Sequence, residues 1–201
     1  MNKKWIFSFL IISVFSFSQD VNWELWSKVE YRYKINKHNS FSIESSARYD
    51  FNPILFSKQF LDFSSLYKIN KKFSLEIGSR FTKNPAKKSF GQRLYFSILY
   101  KPNFKKFKLS LRSRLFSEKN VVSYHRQYFR NKISLGYKFA QFLNPYLEAE
   151  YLYGINNLSE NKVRFGIGNQ FEFSNSIDLK IFFRIQNKDE QIFGLYISKK
   201  V

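Results

Sequence analysis

His38 and His125 are the only imidazoles in a chain that has no cysteine. They set the limits of the catalytic and metal chemistry the sequence can offer. Ser123-Tyr124-His125 puts a hydroxyl close to an imidazole, which is the start of a nucleophile–base pair suited to ester hydrolysis. A working pair also needs a group that orients the ring and donors for an oxyanion, and no motif supplies either. Two distant histidines without carboxylate spacing make a poor metal site, and thiolate ligation is excluded. Gly166 and Gly168 have no phosphate-loop context and suit close packing or curvature in a strand. No cofactor and no enzymatic activity are expected. A lipid hydrolase using Ser123 and His125 is kept as an alternative.

The richer chemistry is ionic. Glu148 and Glu150 recur at the same spacing as Arg130 and Lys132 one segment earlier, so cross-strand pairs are expected. Between Glu76 and Glu118 there is no acid, while Arg80, Arg93, Lys101, Lys108, Arg112 and Arg114 accumulate. Such a sector holds an anion or biases a pore; alternatively, charged side chains fill a narrow interior and fix its register. The expected charge network is Arg80, Arg112, Arg114, Arg130, Lys132, Glu148, Glu150 and Arg164.

These residues need elements that put them on one face. In the stretch 23–33 the odd positions are mostly apolar, and the even ones read Glu24, Trp26, Lys28, Glu30, Arg32. Period two means a strand with one apolar and one charged face. The split recurs in stretches 41–49, 61–67, 73–81, 94–100, 107–116, 129–139, 145–153, 163–173, 177–185 and, less cleanly, 193–197. Phe, Tyr, Ile and Val, which favour pleated surfaces, dominate them. Short Asn-containing turns (34–39, 70–72, 102–106, 174–175) largely alternate with longer polar connections (50–58, 83–92, 117–123, 154–161). Lys-Ile-Asn-Lys occurs at both 34–37 and 68–71, each time leading into a strand whose Glu and Arg (Glu44 and Arg48, Glu76 and Arg80) share the polar face.

Three features favour a transmembrane barrel over a soluble sandwich. The segments approach the length that crosses a bilayer when tilted. Aromatics, a fifth of all residues, gather at the ends of the apolar rows (Tyr31, Tyr33, Tyr49, Tyr67, Phe81, Tyr100, Tyr137, Phe139, Tyr151, Tyr153), as interfacial girdles do. The opposite face carries charge along the middle of the strands. The expected fold is therefore an all-β, antiparallel, up-and-down transmembrane β-barrel of about 10–12 strands. Eleven segments are counted, and single-chain barrels are mostly even. Either a strand is missing or miscounted, or the closing pair is parallel. The chain also ends on Lys199-Lys200-Val201 and not on an aromatic residue.

Residues 1–18 have the layout of a secretory signal: Lys3 and Lys4, an apolar stretch to Phe15, and Ser16-Phe17-Ser18 before Gln19. The expected layout is a cleaved signal at 1–18 and one barrel domain at 19–201, exported to the outer membrane of a Gram-negative cell. The formal charge of +19 attracts polyanions. Export argues against nucleic acid and for outer-membrane lipid, lipopolysaccharide and the barrel-assembly machinery as partners. A soluble periplasmic β-sandwich that binds a ligand is the remaining alternative. The stretch Tyr128-Phe129-Arg130-Asn131-Lys132-Ile133-Ser134-Leu135-Gly136-Tyr137 and the following Asn144-Pro145-Tyr146-Leu147-Glu148-Ala149-Glu150 carry a family resemblance. With the Trp23–Trp26 opening, the Tyr-Lys-Ile-Asn-Lys turns and Arg48, they resemble a domain-of-unknown-function family of signal-bearing barrel proteins from the Bacteroidota. The resemblance implies an outer-membrane location and brings no catalytic residues.

Overall fold

A computed structural model describes residues 22–51, 54–85, 88–102, 104–120, 123–140, 143–156, 161–173, 176–187 and 189–201. The expected signal at 1–18 lies outside them. The strands are β1 (Asn22–Lys34), β2 (Asn39–Phe51), β3 (Ile54–Lys68), β4 (Phe73–Asn84), β5 (Ser89–Tyr100) and β6 (Phe107–Asn120), followed by β7 (Ser123–Tyr137), β8 (Leu143–Gly154), β9 (Lys162–Glu172), β10 (Ile177–Gln186) and β11 (Glu190–Lys200). They close into one barrel in sequence order. The two-sheet sandwich does not form.

Every sequential pair is antiparallel. The seam between β1 and β11 is parallel, running from Asn22 opposite Glu190 to Arg32 opposite Lys200. That resolves the parity problem: eleven strands close because the first and last run the same way. Beyond the seam, Lys34 N–H donates to the Val201 carbonyl (2.8 Å) and Val201 N–H to the Arg32 carbonyl (2.9 Å). The final valine is thus tied into the wall.

The strands run past the bounds that alternation suggests. The stretch 50–58 is no long loop: β2 reaches Phe51 and β3 begins at Ile54, with a register shift between Arg48 and Tyr49. Ser57 sits at that bulge and donates its hydroxyl to the Arg48 carbonyl (3.2 Å). One extra residue breaks the period-two pattern, which hides the strand from a pattern reading. At 83–92 and 117–123 the strands also extend beyond their apolar rows into polar residues. Strand β7, conversely, stops at Tyr137, short of Phe139.

The two Lys-Ile-Asn-Lys copies build the same turn. Asn36 Oδ1 accepts the N–H groups of His38 and Asn39 (2.8 Å each), and Asn70 Oδ1 accepts those of Lys72 and Phe73 (2.8 Å each). The side chain caps N–H groups the tight turn leaves free, which is why Asn stands there. The outward face is apolar: Val29, Ile43, Leu61, Ile77, Phe96, Leu115, Ile133, Leu147, Phe165, Ile185 and Leu195 are all exposed. Aromatics pair across strands near its edges, Phe73 with Tyr100 (4.6 Å between centroids), Phe107 with Tyr137 (5.3 Å) and Tyr49 with Phe56 (4.9 Å).

Candidate functional site

The inward rows carry the chemistry. Bridges between strands that do not pair identify the concave face, where side chains converge. Arg184 on β10 bridges Glu148 on β8. Lys108 on β6 reaches Glu172 on β9 (2.5 Å).

Two carboxylates on β8 organise one side of the lumen. Glu150 takes Arg130 from β7 and Arg164 from β9 (2.5 Å for the latter). Glu148 takes Lys132 from β7 (2.6 Å) and Arg184 from β10. The pairs with β7 are diagonal, because the register sets Lys132 opposite Glu150 and Arg130 opposite Leu152. The bridge from Arg184 to Glu148 crosses β9 at Gly166. A Cβ there would come within 2.8 Å of Arg184 Cγ and 3.0 Å of Glu148 Cγ.

The other side is organised by acids on strands that border the acid-free stretch. Asp62 accepts from Arg80 Nε (2.6 Å) and from the Tyr95 hydroxyl (2.6 Å). Arg80 also lies 3.6 Å from Glu44, which pairs with Lys28. Arg93 pairs with Glu118 (2.7 Å) and Arg114 with Glu76 (2.9 Å). Arg114 meets Glu76 over fully buried Ser97, whose hydroxyl accepts from Arg114 Nε (2.8 Å). At the end where Val201 is tied in, Arg32 pairs with Glu30 (2.5 Å), and Lys200 with Asp178 (2.5 Å); the connections here are no shorter than those at the opposite mouth, because β2, β3, β6 and β7 run on through the stretches expected to be long loops.

Aromatic rings hold the guanidiniums flat. Arg48 stacks on Trp26 (3.8 Å) and faces Phe60 (4.8 Å); Arg93 lies over Phe116 (4.1 Å), Arg114 over Tyr95 (3.8 Å) and Arg184 over Phe182 (3.9 Å). Arg164 and Arg184 also approach the Trp26 ring, at 5.3 and 5.6 Å, so one indole links β1 to β2, β9 and β10. Two of these rings, and that of Tyr146, need a glycine opposite. An added Cβ would lie 2.4 Å from Tyr95 Cζ at Gly78, 2.7 Å from Tyr146 Cζ at Gly168 and 1.9 Å from Phe182 Cζ at Gly194.

Of the eight residues expected to form a charge network, all but Arg112 take part in ion pairs among the described residues. They form separate clusters rather than one. Arg112 stands directly opposite Lys132 and forms no ion pair among the described residues. Alternation placed Trp26 and Arg48 on the polar face but did not single out Asp62, Tyr95 or Arg184, although each of these also occupies an inward position.

His38 lies exposed in the β1–β2 turn with Nδ1 3.0 Å from the Lys68 carbonyl oxygen. Ser123, Tyr124 and His125 open β7, but their side chains are outside the described ones. No group of His, Cys, Asp or Glu suited to a metal ion occurs among the described residues.

Comparison with known proteins places this barrel. The family "Protein of unknown function (DUF2490)" matches residues 23–192, and the chain belongs to that family. No curated protein matches it. Among solved structures the fold resembles the NanC porin, with a TM-score of 0.58 at 9% identity over 86% of this chain and 89% of that one. It also resembles the KdgM porin in complex with disordered oligogalacturonate (0.55, 11%, 84% of this chain and 91% of that one). A bacterial polysaccharide outer membrane secretin gives 0.55 at 9% identity over 83% of this chain, which spans 64% of that protein. The class is thus a closed, porin-like β-barrel. Within it, this chain is a DUF2490 barrel whose inner wall is lined by ion pairs and arginine–aromatic stacks.

Proposed function

We propose that this chain is a non-enzymatic outer-membrane barrel, exported by a cleaved signal from a cell of the Bacteroidota type, that lets small anionic solutes through a narrow, basic lumen. One observation carries the reading. Among the described inward residues, the cations outnumber the carboxylates able to pair with them. Arg48 and Lys58 face each other in register on β2 and β3, and Arg112 faces Lys132 on β6 and β7. Like charges set directly opposite destabilise a sheet, so their presence here favours a use for the field they create. Paired cations only plug and brace the wall; unpaired ones attract anions.

Two further points support it. A closed barrel with an apolar outer face and a charged inner one suits lipid outside and water inside. The KdgM porin is seen with oligogalacturonate, an acidic sugar chain, and anionic solutes are the class that this lining would favour. Planar-bilayer recording of the refolded protein in a salt gradient tests the proposal. The expected result is a small conductance with a reversal potential on the anion side. Silence, or cation selectivity, would sink it.

A further inference from the structure

We infer that Trp26 is the constriction of this lumen, the side chain that sets which solutes pass; this rests on the anion-passing reading above. One inward row reads Trp26, Gly194, Phe182, Gly168, Tyr146 across β1, β11, β10, β9 and β8, each residue directly opposite the next. Rings and glycines alternate along it. Phe182 fills the space a Cβ would take at Gly194, and Tyr146 does the same at Gly168. Tyr95 fills that space at Gly78, its register partner on β4. A glycine in a strand lets a neighbouring group come down close to the backbone, so these three rings lie against the wall.

Trp26 has no such seat. Gly194, its neighbour on one side, is already covered by Phe182, and Arg48 stands on the other. The indole therefore projects off the wall. Arg164 on β9 lies 5.3 Å from the ring, although β11 and β10 separate β1 from β9 round the barrel. Two side chains meet across that gap only if both stand out into the lumen. Arg184 on β10 lies at 5.6 Å and Arg48 at 3.8 Å. Tyr95 and Phe182 are buried, whereas Trp26 is half-buried.

The groups around the indole are fixed more firmly than the indole itself. Carboxylates on β8 hold two of them, Glu150 pairing with Arg164 (2.5 Å) and Glu148 with Arg184. Trp26 donates its ring N–H to Glu24, two residues along its own strand, and is otherwise held by the guanidiniums that face it, a weaker attraction than a buried ion pair. The width of the lumen at this level thus depends on one ring that can turn. A slender solute passes beside it, and a bulky one has to displace it.

The test pairs bilayer conductance of the refolded full chain with quenching of the indole emission. W26A is expected to conduct severalfold more than the wild type, and W26F, which keeps a smaller ring beside Arg48, to fall between them. Y146L removes a ring already seated on the wall and should conduct like the wild type. W26F keeps the comparison available if W26A fails to refold. With W5F and W23F combined, Trp26 is the only indole left; dissolved iodide is expected to quench it and brominated lipid is not. Equal conductance in wild type, W26A and W26F, or a rise in Y146L as large as in W26A, overturns the constriction and leaves the channel. Quenching by brominated lipid alone overturns it as well. A silent wild type with a conducting W26A removes the channel reading and keeps the constriction, whereas silence in both removes both.

Discussion

Arg114 and Glu76 sit on strands that do not pair, and their 2.9 Å bridge passes over Ser97 on the strand between them. Ser97 is fully buried under the guanidinium and bonds to it. The bridge exists because the intervening residue is small. Replacing it with leucine fills the passage and separates two buried charges. Breaking such a pair costs ~3–5 kcal/mol when one partner is left uncompensated. Ser97→Leu is expected to lower the midpoint of urea unfolding in lipid vesicles strongly, and Ser97→Ala only slightly. Equal effects would show that the crossing does not matter.

Asp62 serves two donors at once, Arg80 Nε and the Tyr95 hydroxyl. Asp62→Asn leaves a buried guanidinium without its nearest anion. A loss of about 3 kcal/mol is the expected scale, read from the same unfolding assay. Tyr95→Phe should cost less, about 1 kcal/mol for one hydrogen bond. If Tyr95→Phe proved the worse of the two, the assignment of Asp62 as the organising acid would be wrong.

Gly194 and Phe182 make a coupled pair, since a Cβ at 194 would sit 1.9 Å from the ring. Gly194→Ala forces the ring aside at a cost of ~1–3 kcal/mol, typical of overpacking. Phe182→Leu should recover part of that loss when combined with it. A double-mutant cycle measures the coupling; additive single effects count against direct contact.

Ile77 lies on the outward face in the middle of β4 and is 63% exposed. If lipid covers that face, Ile77→Arg should destabilise the folded barrel by ~2–4 kcal/mol. The control is Lys71→Arg in the β3–β4 turn, expected to be near neutral. Folding in vesicles unaffected by Ile77→Arg would argue that water, not lipid, meets this wall.

Much of the wall could be read from residue order. Period-two patterning located the strands, and the Asn turns marked one end of them, since both depend on near neighbours in sequence. The bulge at Ser57 and the parallel seam could not be read this way. A bulge costs the pattern one residue, and a seam joins the two most distant parts of the chain. The ionic interior was legible by halves. Alternation and segment order put Arg130 and Lys132 beside Glu148 and Glu150, because those strands are consecutive. The bridges of Arg184 to Glu148 and of Lys108 to Glu172 skip strands, so they depend on how the wall curves, and the first also on a glycine at 166. The acid-free stretch looked uniformly basic in sequence. Folded, it splits: Arg80, Arg93, Lys108 and Arg114 find acids on other strands, and among the described residues Arg112 and Lys101 form no ion pair.

The parallel seam also determines how the barrel displays its ends. A chain that crosses an even number of times returns to the side it started from. This one enters at the mouth where Asn22 N–H meets the Asp189 carbonyl (3.2 Å), and leaves at the other, where Val201 is tied to Arg32 and Lys34. Two peptide tags, one joined ahead of Asn22 and one after Val201, would therefore report from opposite mouths of the barrel. A single molecule would carry its own two-sided readout of which mouth faces the medium.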